Sequence, residues 1–108
     1  GSLSLALKEQ RLASLDAIDS VATSLGAKQV CEQAFVKSQE WPVQSVLVSD
    51  QQAVDACKAF ADDHRVLVEP ACGAALSVVY DQPKRFEDFS DVLVVVCGGA
   101  GVSLAQLK

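Results

Sequence analysis

Cys97-Gly98-Gly99 is the place in this sequence where residue types and spacing could do chemistry. A thiol serves as a nucleophile, a metal ligand or a weak, neutral hydrogen-bond partner, depending on its surroundings. Two glycines after it let backbone come close to whatever lies alongside. Taken alone, the same three residues also read as a small buried apolar side chain followed by a turn. The other cysteines, Cys31, Cys57 and Cys72, are widely separated, and no pair has metal-ligand or C-x-x-C spacing. The single histidine, His64, lies in the charged run Asp62-Asp63-His64-Arg65, which does not resemble a zinc site. A redox role for Cys97 would need a resolving cysteine at close spacing, and there is none. All four cysteines fall in helix- and strand-like apolar patterns, the habit of reduced cytosolic thiols rather than of a secreted disulfide framework.

The thiol must be positioned by the run that carries it. Val92 to Val96 is five apolar residues in a row, four of them Val. Such a run predicts a strand buried on both faces, as parallel strands are between layers of helices. In open α/β sheets, ligands bind beyond the carboxyl ends of the strands, which is where this strand would deliver Cys97. A second β-like stretch spans Val43 to Val48, and Val66-Leu67-Val68 is a short apolar connector. Helices are expected over residues 3–12, with Leu3, Ala6 and Leu7 on one face, and over residues 30–39, ended by Trp41-Pro42. Ala17, Ile18, Val21, Ala22 and Leu25 could line a further short helix stopped by Gly26. Ser49-Asp50-Gln51-Gln52 has the capping-box pattern, and its helix should run to about Asp63 and bury Val54, Cys57, Phe60 and Ala61. Glu69-Pro70 opens the next helix, with Pro in the first turn and an acid beside it. Its Ala71, Gly73, Ala74 and Ala75 make it slim enough for close approach to a sheet or a ligand. A polar loop from Asp81 to Ser90 leads into the Val-rich strand, and a last short helix begins at Ser103. The alternation predicts an α/β class: a partial open parallel sheet flanked by helices. Only two strands are convincing, so residues 1–108 read as a single incomplete domain whose remaining strands come from other chain.

Composition narrows the partners. The chain has 108 residues, half of them apolar, and a net charge of −5. An acidic chain without a basic patch is not built to bind nucleic acid or an anionic membrane surface. The longest apolar run is far too short to span a bilayer. The apolar surplus for so small a chain suggests that part of its surface belongs against something else.

Two blocks make the reading specific. Val66-Leu67-Val68-Glu69-Pro70-Ala71-Cys72-Gly73-Ala74-Ala75-Leu76 and Val94-Val95-Val96-Cys97-Gly98-Gly99 resemble the carboxyl-terminal part of the pyridoxal-phosphate-dependent L-serine/L-threonine dehydratases. These are fold-type-II enzymes, in whose large domain this stretch would lie. Ile18 to Lys28 and Val48 to Val54 are similar to the same family. The resemblance covers nearly all of this chain and roughly the last third of a full enzyme. It implies β-elimination of L-serine to pyruvate and ammonia, or of L-threonine to 2-oxobutyrate and ammonia. It also implies a cytoplasmic homodimer with pyridoxal 5'-phosphate as cofactor and an amino acid as substrate. Cys97 matches the position whose thiol faces the pyridine nitrogen, and Gly98 and Gly99 match the turn beside the ring. Ala100 stands where relatives often have Asn or Ser. Leu25-Gly26-Ala27 resembles a loop whose backbone carbonyls hold a monovalent cation such as K+, which makes Leu25 and Ala27 its candidate ligands.

The family's cofactor-bonding lysine, in a Ser-x-Lys-x-Arg-Gly-type motif, has no match here, nor has the Gly-rich phosphate loop. No residue of this chain is therefore assigned as catalytic, and the missing amino-terminal part of the same enzyme is its expected partner. The alternative is a non-catalytic α/β binding module derived from that fold.

Overall fold

The computed structural model describes residues 1–108, which divide into two compact units, Gly1–Ser20 with Ser24–Leu47 and Val21–Thr23 with Val48–Lys108. In the first unit, helix α1 spans Ser2–Glu9 and helix α2 spans Glu32–Glu40. Ala6 is fully buried on α1, between the half-buried Leu3 and Leu7 of the expected face. Gln10 ends α1 in the left-handed conformation, its N–H bonded to the Ala6 carbonyl. The Trp41-Pro42 step ends α2 as expected, Trp41 having gone extended as the residue before a proline prefers. Between the two helices, the Leu15 N–H donates to the Lys28 carbonyl at 2.8 Å, and Ser14 Oγ donates to Gln29 Oε1.

The helix expected around residues 17–25 does not form. Its only helical part is a single 3₁₀ turn, Thr23–Leu25. Ala17, Val21 and Leu25 are exposed, Ile18 is half-buried and only Ala22 is buried, too little apolar cover to stabilise so short a helix.

The second unit is built on helix α3, Asp50–His64, and helix α4, Pro70–Asp81. The capping box is present in full: Gln52 N–H donates to Ser49 Oγ at 3.1 Å, and Ser49 N–H donates to Gln52 Oε1 at 2.9 Å. Arg65 closes α3 in the left-handed conformation, and Glu69 caps α4 with Pro70 in its first turn. The two helices pack together around Ala56, Cys57, Val68, Cys72, Leu76 and Leu107, with Val54, Phe60, Leu67, Val94 and Val102 against that core. Of the residues expected to be buried on α3, Cys57 is, whereas Val54, Phe60 and Ala61 are half-buried; Ala53 and Ala56 take the inner positions. The small residues face inward because α4 comes so close. A Cβ on Gly73 would overlap the Ala53 carbonyl oxygen and stand 2.6 Å from Cys57 Sγ. The slimness of α4 thus serves its approach to α3. Each fully buried Val68 or Leu107 side chain stabilises the unit by about 1.5–3 kcal/mol. Leu107 arrives on a closing 3₁₀ turn, Leu104–Leu107, shorter than the helix expected there.

The partial open parallel sheet does not form within residues 1–108: no residue lies in a strand. Residues 43–48, 66–69 and 91–99 belong to no helix and form no ladder. The Val-rich run is also not buried on both faces here, with Leu93 91% and Val95 68% exposed. The reason is a shortage of neighbours. A strand buried on both sides needs partners along each edge and cover over each face. This chain offers the run one companion, Leu67–Glu69, through a single backbone hydrogen bond from Glu69 N–H to the Gly98 carbonyl at 3.0 Å. No helix is long and apolar enough to cross a membrane.

Candidate functional site

The second unit brings Cys97, Gly98 and Gly99 together at one place, the turn where the Val-rich run meets the start of α4. Three contacts hold the turn. Glu69 N–H donates to the Gly98 carbonyl. The Cys97 N–H donates to Cys72 Sγ at 3.2 Å, and Cys72 Sγ donates to the Gly98 carbonyl at 3.5 Å. Gly99 lies so close to the connector that a Cβ there would overlap the Leu67 carbonyl oxygen and stand 3.0 Å from the Val68 Cα. Beneath the turn, Cys57 Sγ donates to the Glu69 carbonyl at 3.3 Å, and that carbonyl also accepts from Cys72 N–H and Gly73 N–H.

The glycines have separate reasons to be there. Gly98 has φ of 146°, a conformation that L side chains rarely adopt, and nothing lies within 4 Å of where its Cβ would be. Gly99 is required by close packing. The turn therefore presents an open, side-chain-free patch at Gly98, next to the exposed thiol of Cys97.

None of the four cysteines is in a disulfide; Cys31 and Cys97 are exposed, Cys57 and Cys72 buried. Burial is the largest influence on Cys57 and pushes its thiol above the ordinary value; the backbone hydrogen bond from Gly73 pulls it down, while Cys72 and Glu69 add to the rise. Cys72 was legible in the sequence only as a packing residue. Its hydrogen bonds to the Cys97 N–H and the Gly98 carbonyl are a role that spacing could not reveal, since the partners are 25 and 26 positions away.

Leu25 and Ala27 are both exposed, and the Leu25 carbonyl accepts the Ala27 N–H at 2.9 Å in a tight turn. One lone pair of that carbonyl is thus already engaged. These two residues belong to the first unit, and the turn at Cys97 belongs to the second.

A family model of pyridoxal-phosphate dependent enzymes matches residues 2–98. The human protein named L-serine dehydratase/L-threonine deaminase is 47% identical over 106 residues, 91% of this chain and 32% of its own length. The mouse protein of the same name is 43% identical over 115 residues, 99% of this chain and 35% of its own length. Among solved structures, a fungal L-serine ammonia-lyase from Rhizomucor miehei superposes with a TM-score of 0.90 at 36% identity, covering 98% of this chain and 35% of that one. The chain belongs to the pyridoxal-phosphate-dependent enzyme family. It spans about a third of the length of the curated relatives it matches.

The chemistry of the residues at this turn is compatible with the edge of such a cofactor. An exposed thiol, an open patch where Gly98 has no Cβ and a turn pinned by three hydrogen bonds leave room for a planar ring and offer it a neutral partner.

Proposed function

We propose that this chain forms part of the large domain of a pyridoxal-phosphate-dependent L-serine dehydratase, with L-threonine as a second substrate, and supplies the Cys97–Gly99 side of the cofactor site. The reaction is a β-elimination: the substrate loses its α-proton and its β-hydroxyl together as water, and the enamine so released takes up one water to give pyruvate, or 2-oxobutyrate, and ammonia. The observation that carries the reading is the exposed Cys97 thiol on a turn clamped to the Glu69-Pro70-Ala71-Cys72 start of α4, in a chain that matches serine and threonine dehydratases. When bound, pyridoxal phosphate acts as the electron sink for the carbanion formed at the α-carbon. The part played by the protein is orientation and electrostatics.

Cys97 is the electrostatic element. A thiol is a weak, neutral hydrogen-bond partner. Beside the ring nitrogen of the cofactor, it would hold no positive charge there as a carboxylate would, and so would leave the sink weaker. Elimination tolerates a weaker sink, because the leaving group departs from the adjacent carbon. Transamination profits from a stronger one. Gly98 and Gly99 keep that side of the ring free of side chains. The Leu25–Ala27 turn belongs to the same reading as a source of backbone carbonyls for a monovalent cation such as K+. Residues 43–48 and the Val-rich run 91–97 become strands of an open parallel sheet when the rest of the enzyme lies beside them. A cytoplasmic homodimer is the form we assign to the assembled enzyme.

Cys97→Asp, made in the full enzyme carrying this chain, is the direct test. The ratio of side reactions such as transamination to elimination should rise, and the cofactor's absorbance should change. Kinetics and spectrum identical to those of the parent would remove Cys97 from the role assigned to it.

A further inference from the structure

Cys72 brackets the Cys97–Gly98 backbone, bonding the N–H at its start and the carbonyl at its end. Its sulfur accepts the Cys97 N–H at 3.2 Å, and its S–H points to the Gly98 carbonyl at 3.5 Å. The side chain is buried, 3% exposed, so these bonds are shielded from competing water. The backbone it holds includes Gly98, whose φ of 146° is a costly conformation for any residue with a side chain. Glu69 N–H supports the same carbonyl from the first turn of α4. Cys57 in turn fixes Glu69 by donating to its carbonyl at 3.3 Å. The chain of contacts runs from the α3–α4 core, through Cys57, Glu69 and Cys72, to the backbone of Cys97.

We propose that Cys72 is a positioning residue: its thiol fixes the backbone of Cys97 and Gly98, and thereby the direction in which the Cys97 side chain meets the cofactor. This rests on the reading of Cys97 given above. The chemistry suits a thiol or hydroxyl and nothing else of that size, because the group must accept one hydrogen bond and donate another in an otherwise apolar pocket. Alanine fills most of the space and makes neither bond. Serine makes both with a shorter reach.

The test uses the pyridoxal-phosphate-loaded full enzyme with Cys72→Ala, Cys72→Ser and, as a control, Leu76→Val, which trims the same helix and core without touching the turn. Two quantities are read: hydrogen exchange at the Cys97 amide, and the dissociation constant and absorbance of the cofactor. Cys72→Ala should speed Cys97 amide exchange about tenfold, the loss of one ordinary hydrogen bond, and weaken cofactor retention. Cys72→Ser should recover most of both, and Leu76→Val should lower thermal stability while leaving both near the parent values. Unchanged exchange in Cys72→Ala overturns the proposal, as does an equal response in Leu76→Val, which would make the effect one of general packing. Cys97→Ala is measured alongside. If it leaves cofactor binding and absorbance untouched, the cofactor reading itself fails, and the exchange data tell that failure apart from a failure of the Cys72 contact.

Discussion

The four thiols of this chain are chemically alike as free amino acids and differ here only through their surroundings. Cys31 and Cys97 meet solvent, while Cys57 and Cys72 lie in the core of the second unit and hydrogen-bond to backbone. A thiol-specific reagent should therefore modify Cys31 and Cys97 quickly in the native protein, and Cys57 and Cys72 only after denaturant is added. Peptide mapping after a short pulse checks this, and rapid labelling of Cys72 would contradict the packing described. Burial pushes the Cys57 thiol up, so the folded chain holds that proton more tightly than the unfolded one. Its contribution to stability is intact below the unfolded thiol value of about 8.5. It is lost as pH rises through the higher folded value. The urea midpoint should thus be level near neutrality and fall on the alkaline side, and Cys57→Ser should flatten the fall. Tyr80 titrates in the same direction, held up by its hydrogen bond to Asp63, but this group is exposed and acts at higher pH still.

At the scale of elements, the helices follow from signals a few residues long. The Ser49–Gln52 box, the Pro70 start and the Trp41-Pro42 stop each depend on side chains bonding to, or restricting, backbone within one turn. Such signals survive in the fold because they need no distant partner. Ser49→Ala should cost about 1 kcal/mol of stability in denaturant unfolding, the usual worth of a cap. Gly73 is different: its need for no side chain comes from the Ala53 carbonyl and Cys57 on the neighbouring helix. Gly73→Ala should cost about 3 kcal/mol, since a backbone carbonyl cannot step aside as a flexible side chain can. A loss below 1 kcal/mol would mean that the helices separate more easily than their packing implies. The helix expected near Ala17–Leu25 shows the limit of local signals. Its apolar spacing is real, but a short helix needs a surface to pack on.

At the scale of the whole molecule, the exposed apolar residues carry the message. Leu93, Val95, Leu47 and Phe89 are each more than half exposed, and three of them lie in segments that are neither helix nor strand. Extended chain with open backbone groups and apolar side chains pairs readily with other chain. We expect residues 1–108 alone to associate or melt broadly, and to gain a cooperative transition when joined to the remaining part of the enzyme. Pyridoxal phosphate added to these residues alone should give no bound-cofactor absorbance band near ~400 nm, because no lysine here has the sequence context of a cofactor-bonding one. A strong band that survives dialysis would contradict this.

The sequence by itself determined the family and the helix boundaries set by caps and prolines, and it singled out Cys97-Gly98-Gly99 as a candidate, because each of these rests on contiguous residues. Only the tertiary structure decided which glycine is needed for a turn and which for close packing. It also decided that Cys72 binds the Cys97 backbone, and that the Val-rich run lies open instead of enclosed. Those outcomes depend on groups 25 or more positions apart, or on neighbours this chain does not contain, and no local spacing encodes them.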